Sequence, residues 1–160
     1  MMKIITIFAV LIIAIAAFFL WPSSDDPSEI EKVLNKMITA GQNGVYEEVT
    51  EHVSFDYRDD YGATYFVVKN IVQNVFKKFD KFETKYNNLS VTMNETENGN
   101  KIAIANLNMN IKGIKSNIPI DVLGKDDSFE NITLTFKKSK LGEWKVIKSE
   151  GLDGAIEEGF

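Results

Sequence analysis

The segment of this chain with the residue types most suited to chemistry runs from Asp56 to Gly62 and reads DYRDDYG. It packs three aspartates, two tyrosines, an arginine and a glycine directly before an apolar run. Such a cluster could hold a metal, supply a general acid or base, or begin a helix. A calcium loop starting at Asp56 requires an oxygen ligand at its third position and a glutamate at its twelfth. Arg58 and Val67 occupy those positions, so the segment is not a calcium loop of this type.

Zinc binding and nucleophilic catalysis are also disfavoured by the residue inventory. His52 is the only histidine, and the chain has no cysteine. With Glu48 and Asp56 one helical turn to either side, His52 offers two or three zinc ligands at most. A Ser-His-acid triad would also depend on His52, and the sequence has no Gly-x-Ser-x-Gly elbow. We therefore predict no metal, no cofactor and no catalytic nucleophile.

A pocket carboxylate is the remaining enzymatic possibility. General acid or base catalysis needs a carboxylate in an apolar cleft and a donor for a developing oxyanion. Asp56 with Tyr57 or Tyr61 supplies both residue types. We place these three residues and His52 at the edge of a pocket, and we assign none of them as catalytic.

A structural role for the same segment is the favoured interpretation. Asp59 or Asp60 can accept hydrogen bonds from the free amides at the start of a following helix, where the helix dipole also favours negative charge. Gly62 permits a backbone turn that other residues resist. We therefore predict that Asp59, Asp60 and Gly62 form a structural helix cap.

The N-terminal segment has the character of a membrane anchor. Ile4–Trp21 contains no charge, and a helix of that length spans about 27 Å, close to a hydrocarbon core of about 30 Å. Lys3 precedes the run and Asp25 follows it, which places the rest of the chain outside the cytoplasm. We predict a signal anchor or transmembrane helix over residues 1–21, in a bacterial inner membrane facing the periplasm. The alternative is secretion after cleavage at Ala14–Ala16.

Composition bounds the remainder to one domain. The chain has 160 residues and a formal net charge of −5, and an acidic chain without a basic stripe is a poor nucleic-acid binder. Without cysteine there are no disulfides, so the domain depends on its apolar core. We divide the chain into a linker over 22–27, a folded domain over 28–150 and a flexible acidic tail over 151–160.

Hydrophobic periodicity predicts three helices before the strands. An apolar stripe at helical spacing begins at Ile30 and ends before Gly41. A short helix follows over Val45–Val53, and a longer one over Ala63–Asp80.

Beyond the third helix the apolar period changes to two, which is typical of strands. Alternation begins at Leu89, and Asn98-Gly99 is a strong hairpin signal. Ala103 to Ile111 supply an apolar face that lines a core or a pocket, and Ile118–Val122 forms a short edge strand or a loop. Helices first and strands after predict an α+β fold, with three helices packed on a curved antiparallel meander of four to five strands.

Two local patterns support a resemblance. VSFDYRDDYG, residues 53–62, stands before a long apolar helix, and FKKSKLGEWKVIKSE, residues 136–150, is a strand, a turn and a Trp-led last strand. In this order they resemble the nuclear transport factor two-like superfamily, as a small membrane-anchored bacterial member. The resemblance implies a cone of helices and curved sheet with a pocket at its open end. The strand pair that many members carry before the third helix would have to be SFDYR, or be absent.

The predicted function is a membrane-tethered, extracytoplasmic binding or assembly module without catalytic activity. Its partners are the membrane and a homodimer mate or another envelope protein, with an apolar small molecule as a possible ligand. One alternative is an isomerase-type or cyclase-type enzyme that uses a pocket carboxylate. Another is a periplasmic binder of apolar ligands, because the interior strand positions are apolar.

Overall fold

A computed structural model describes residues 26–152. The predicted membrane helix over 1–21, most of the linker and most of the tail lie outside the described residues. No helix between residues 26 and 152 is long and apolar enough to cross a membrane. The helices are α1 (Asp26–Gln42), α2 (Tyr46–Glu51) and α3 (Tyr65–Lys78).

Five antiparallel strands form one sheet with β2 at its centre. On one side β2 pairs with β1, and on the other side it pairs with β4 and then β3 in succession, while β5 pairs with β4. The predicted α+β class is confirmed, and the uncertain segment after residue 117 is a strand. The strands are β1 (Lys81–Glu95), β2 (Lys101–Lys115), β3 (Ile118–Leu123), β4 (Glu130–Lys138) and β5 (Trp144–Glu150).

The core lies between the helices and one face of the sheet. Leu107 of β2 pairs with Ile132 of β4, and both are almost completely buried beside Phe136. Ile30 of α1 is fully buried in the same cluster. Alternate positions of a strand face opposite sides, so one apolar face of β2 enters this core. The prediction that Ala103, Ala105, Leu107 and Met109 line the interior is therefore confirmed.

Side-chain bonds join the start of α1 to one end of the sheet. The Asp26 carboxylate pairs with Lys101 of β2 and with Lys138 of β4. The Glu29 carboxylate accepts a hydrogen bond from Trp144 Nε1 at 3.0 Å. These bonds connect residues far apart in the chain and fix the helix over the strands.

The structure moves several predicted boundaries. The second and third helices are shorter than predicted, and β1 begins at Lys81 rather than at Leu89. Asn88 has a φ of 54°, and the pairing register with β2 shifts between Asn87 and Ser90. This bulge exchanges the inward and outward positions between the two halves of β1. The first half therefore does not continue the alternation that begins at Leu89, and the sequence did not predict it.

Candidate functional site

The loop that follows α2 covers the outer edge of β5. Ser54 N donates to Val146 O at 2.8 Å, and Arg58 N donates to Ile147 O at 3.0 Å. Val53 forms an isolated parallel bridge with Val146. The segment SFDYR therefore satisfies strand-edge groups that would otherwise remain open to another chain.

Asp59 organises a tight turn before α3. Its Oδ1 atom accepts hydrogen bonds from Tyr61 N at 3.0 Å and from Ala63 N at 2.8 Å. Gly62 has a φ of 81°, a conformation that favours glycine. The helix begins only at Tyr65, and its N-cap residue, Thr64, makes no side-chain cap bond. Asp59 therefore stabilises the turn, and the predicted helix cap is corrected accordingly.

Asp60 also lies apart from the helix start. Its carboxylate is 2.9 Å from Lys148 Nζ on β5, and its side chain is 70% exposed. Asp60 therefore makes a surface ion pair with the sheet and is not placed to cap α3.

The structure separates the four predicted pocket-edge residues. Tyr57 is buried and lines an apolar cavity. The Asp56 side chain is 78% exposed and 4.0 Å from Lys137 Nζ, and Tyr61 is 79% exposed. His52 lines a different and open groove of about 840 Å³, between α1, α2 and the start of β5. Burial first, and then the charge of Lys145, lower the pKa of His52.

The apolar cavity lies between the three helices and the inner face of the sheet, and it is partly open to solvent. Its volume is about 280 Å³. Among the described residues that line it, only three have polar side chains, and none has a charged one. The polar three are hydroxyl residues: Tyr57, Thr84 and Ser149.

The cavity exists because α3 is not pressed onto the sheet. The apolar stripe of α3 faces the cavity through Val68, Ile71, Val72, Val75 and Phe76. No residue of this helix is buried. An apolar helix face normally contacts the core directly, so its incomplete burial marks space that another molecule can fill.

Tyr57 and Ser149 are two of the three polar lining residues, and their hydroxyl groups meet in the cavity wall. The hydroxyl oxygens of Tyr57 and Ser149 are 2.6 Å apart, and either can be the donor. Tyr57 also lies 3.4 Å from Asp59 Oδ2. Burial raises the pKa of the Tyr57 phenol, and the hydroxyl can both donate and accept a hydrogen bond.

Sequence reasoning did not find Ser149. Trp144 and Val146 face the core, and strict alternation would place Lys148 on the same inner face of β5. The register of β5 against β4 shifts, so that Lys148 pairs with Thr135 and Ser149 pairs with the core residue Leu134. A lysine at an inward position was the signal that could have indicated this bulge.

The chemical groups of the described lining are hydroxyls on an apolar wall. A general base or acid near neutral pH requires a carboxylate, an imidazole or a perturbed amine close to the reacting atom. None of these is among the described residues that line the cavity. Hydroxyls on an apolar wall can orient a bound molecule by hydrogen bonds.

No family model matches the chain, and no curated protein matches it. Solved structures do. A protein assigned as an aromatic ring hydroxylase from Novosphingobium aromaticivorans is 18% identical, with a TM-score of 0.61 over 81% of this chain and 96% of that one. A protein assigned as a dehydratase of the nuclear transport factor two-like family, from Streptomyces avermitilis, is 11% identical, with a TM-score of 0.60 over 78% and 92%.

A third similar structure belongs to a longer protein. The helical cell shape determining protein Pgp2 from Campylobacter jejuni is 8% identical, with a TM-score of 0.60 over 74% of this chain. The match spans only 38% of Pgp2. Together these structures show that the chain has the nuclear transport factor two-like fold.

Proposed function

We propose that this chain is a non-catalytic module that binds an apolar small molecule in the cone of its nuclear transport factor two-like fold. The observation that carries the proposal is the cavity of about 280 Å³ beneath α3, which is lined almost entirely by apolar side chains. Water in such a space makes few hydrogen bonds, so an apolar molecule gains free energy by replacing it.

The proposal includes a tether to the membrane. Ile4–Trp21 is uncharged and long enough to span a bilayer. Only residues 22–25 separate this run from the start of α1 at Asp26. The domain would then lie beside the outer surface of the membrane, from which an apolar ligand could enter the cone. Retention of the full chain in the membrane fraction after carbonate washing is the expected result, and a mature form starting near Ala17 would refute the tether.

The alternative is a small-molecule enzyme, which is supported by similar structures assigned as a hydroxylase and a dehydratase. In this chain the candidate base, Asp56, is exposed beside Lys137 and is not among the residues that line the cavity. A general base must lie within hydrogen-bond reach of the proton that it removes from a ligand in the cone. This placement favours the binding module.

Filling the cavity tests the proposal. The full chain, reconstituted in lipid nanodiscs, is titrated with a fluorescent apolar probe. Val72→Phe places a larger side chain in the cavity wall, whereas Val67→Phe makes the same change on the outside of α3, where Val67 is 45% exposed. We expect saturable probe binding in wild type and Val67→Phe, and only lipid background in Val72→Phe. Equal signals from all three proteins would refute binding in the cone.

A further inference from the structure

The charged groups nearest to the Tyr57–Ser149 pair are already engaged outside the cavity. Lys148 precedes Ser149 in β5, but its amine pairs with Asp60 at 2.9 Å and with Glu150. Asp59 Oδ1 accepts two backbone hydrogen bonds in the turn before α3, and its Oδ2 atom faces the Tyr57 hydroxyl at 3.4 Å. Neither residue is among those that line the cavity. The described wall thus offers a ligand hydroxyl groups and no countercharge.

A negatively charged ligand end would therefore be costly at this wall. Moving a carboxylate or an ammonium group from water to an apolar site without a partner is far more unfavourable than moving a hydroxyl that finds a hydrogen bond. An entirely apolar ligand would leave the hydrogen-bonding capacity of the wall hydroxyls unused. An uncharged oxygen avoids both problems.

The Tyr57–Ser149 pair has capacity left for such an oxygen. Each hydroxyl has one proton and two acceptor positions. When Tyr57 donates to Ser149 across 2.6 Å, the proton of Ser149 is available to a ligand oxygen. In the opposite arrangement Tyr57 can direct its proton to Asp59 Oδ2 at 3.4 Å, and Ser149 can still accept a bond from a ligand hydroxyl.

The volume limits the size of the ligand. A volume of about 280 Å³ lies at the lower end of the range of about 300–1,000 Å³ for small-molecule pockets, which points to a small ligand. A chain of eight carbons with one oxygen is a ligand of this scale.

We infer, on the basis of the proposed function, that the ligand class is a medium-sized uncharged amphiphile whose hydroxyl or carbonyl oxygen bonds to the Tyr57–Ser149 pair. 1-Octanol and octanoate form the matched test pair, since they share chain length and differ mainly in the charge of the polar end. At pH 8 octanoate is ionised, and its carboxylate would meet no cation on the described wall.

The experiment measures displacement of the fluorescent probe from the full chain in nanodiscs, at equal free aqueous concentrations of 1-octanol and octanoate. Val72→Phe in the same nanodiscs provides the background from the lipid. We expect 1-octanol to bind at least about tenfold more tightly than octanoate. Ser149→Ala should weaken 1-octanol by about three- to tenfold, the effect of one hydrogen bond, after correction for the probe affinity measured on the same variant.

Tyr86→Phe is the matched control, because it removes a hydroxyl that bonds to Asn35 on an exposed part of the surface. It should leave the 1-octanol affinity unchanged. Equal affinities for 1-octanol and octanoate, with probe binding intact, would overturn the inference and leave the proposed function standing. Absence of probe binding above the Val72→Phe background would overturn both. Melting curves of each variant identify any loss of fold, and in that case Tyr57→Phe replaces Ser149→Ala.

Discussion

The hydroxyl of Tyr57 lies 2.6 Å from the hydroxyl of Ser149, although the two residues are 92 positions apart in the sequence. The bond joins the loop after α2 to the last strand and lies beside the interior cavity. This pair of side chains thus joins two distant segments and supplies two of the three hydroxyl groups that line the cavity.

Loss of this bond should destabilise the fold. Tyr57→Phe removes the phenol hydroxyl from a residue that is 4% exposed, and we expect the free energy of unfolding to fall by about 1 kcal/mol. Tyr61→Phe, in the same loop but 79% exposed, should change it by less than about 0.5 kcal/mol. Urea denaturation provides the measurement, and equal effects of the two substitutions would contradict the structural role of the pair.

The two neighbouring aspartates should differ in importance. Asp59→Ala removes the acceptor of two backbone amides and should lower the free energy of unfolding by about 1–2 kcal/mol. Asp60→Ala breaks an exposed ion pair with Lys148 and should cost less than about 0.5 kcal/mol. Thermal melts of both variants test the difference. A larger loss from Asp60→Ala would show that the turn depends on a different acceptor.

Much of the fold follows from sequence, for identifiable reasons. The apolar stripes of α1 and α3 are local periodicities, and Asn98-Gly99 is a local turn signal. Both kinds of signal depend on neighbouring residues alone, and both are confirmed by the structure. The inward position of Ser149 and the true start of β1 were missed. Both depend on bulges, where one extra residue inverts the two faces of a strand.

The sequence also did not predict the position of the cavity, although binding of an apolar ligand was one of the predicted alternatives. The stripe on α3 indicates which face turns inward, but not how closely that face approaches the sheet. The predicted pocket edge contained four residues, of which Tyr57 alone lines the apolar cavity. Asp56 and Tyr61 were predicted at the pocket edge because a carboxylate and a phenol can take part in catalysis. Nothing in their spacing indicated that the loop turns them towards solvent.

The ion pairs at the start of α1 predict a dependence of stability on pH. Hydrogen bonds from Lys101 and then Lys138 hold the pKa of the Asp26 carboxyl below its ordinary value of 3.8. A depressed carboxyl pKa stabilises the fold above the unfolded pKa, and this stabilisation is lost as the pH falls through the folded pKa. Melting temperatures measured from pH 6 to pH 2 should therefore fall less steeply below about pH 4 in Asp26→Asn than in wild type.

The control for this prediction is Asp56→Asn, since the Asp56 side chain is 78% exposed and only 4.0 Å from Lys137 at its closest. The melting temperature of this variant should fall with decreasing pH as steeply as that of wild type. An unchanged slope in Asp26→Asn would contradict the role assigned to the ion pairs.

Gly113 tests the contact between β2 and the segment after α3. A Cβ atom at this position would lie 2.4 Å from the ring of Phe79, so Gly113→Ala should cost about 1–3 kcal/mol by overpacking. In a background of Phe79→Ala the same substitution should cost little, because the obstructing ring is gone. A double-mutant cycle by urea denaturation measures this coupling, and additive effects would indicate that the ring moves aside at no cost.

The most direct test of the hollow cone is methyl NMR on the full chain in nanodiscs during titration with 1-octanol. Methyl groups of Ile71, Val75 and Leu134 line the cavity, whereas Ile102 and Ile104 alternate with buried alanines and face the other side of the sheet. We predict saturable shifts of the first three that are absent in Val72→Phe, with the last two unaffected. Shifts confined to the outer residues, or no saturable shifts at all, would contradict the claim that the cone binds an apolar molecule.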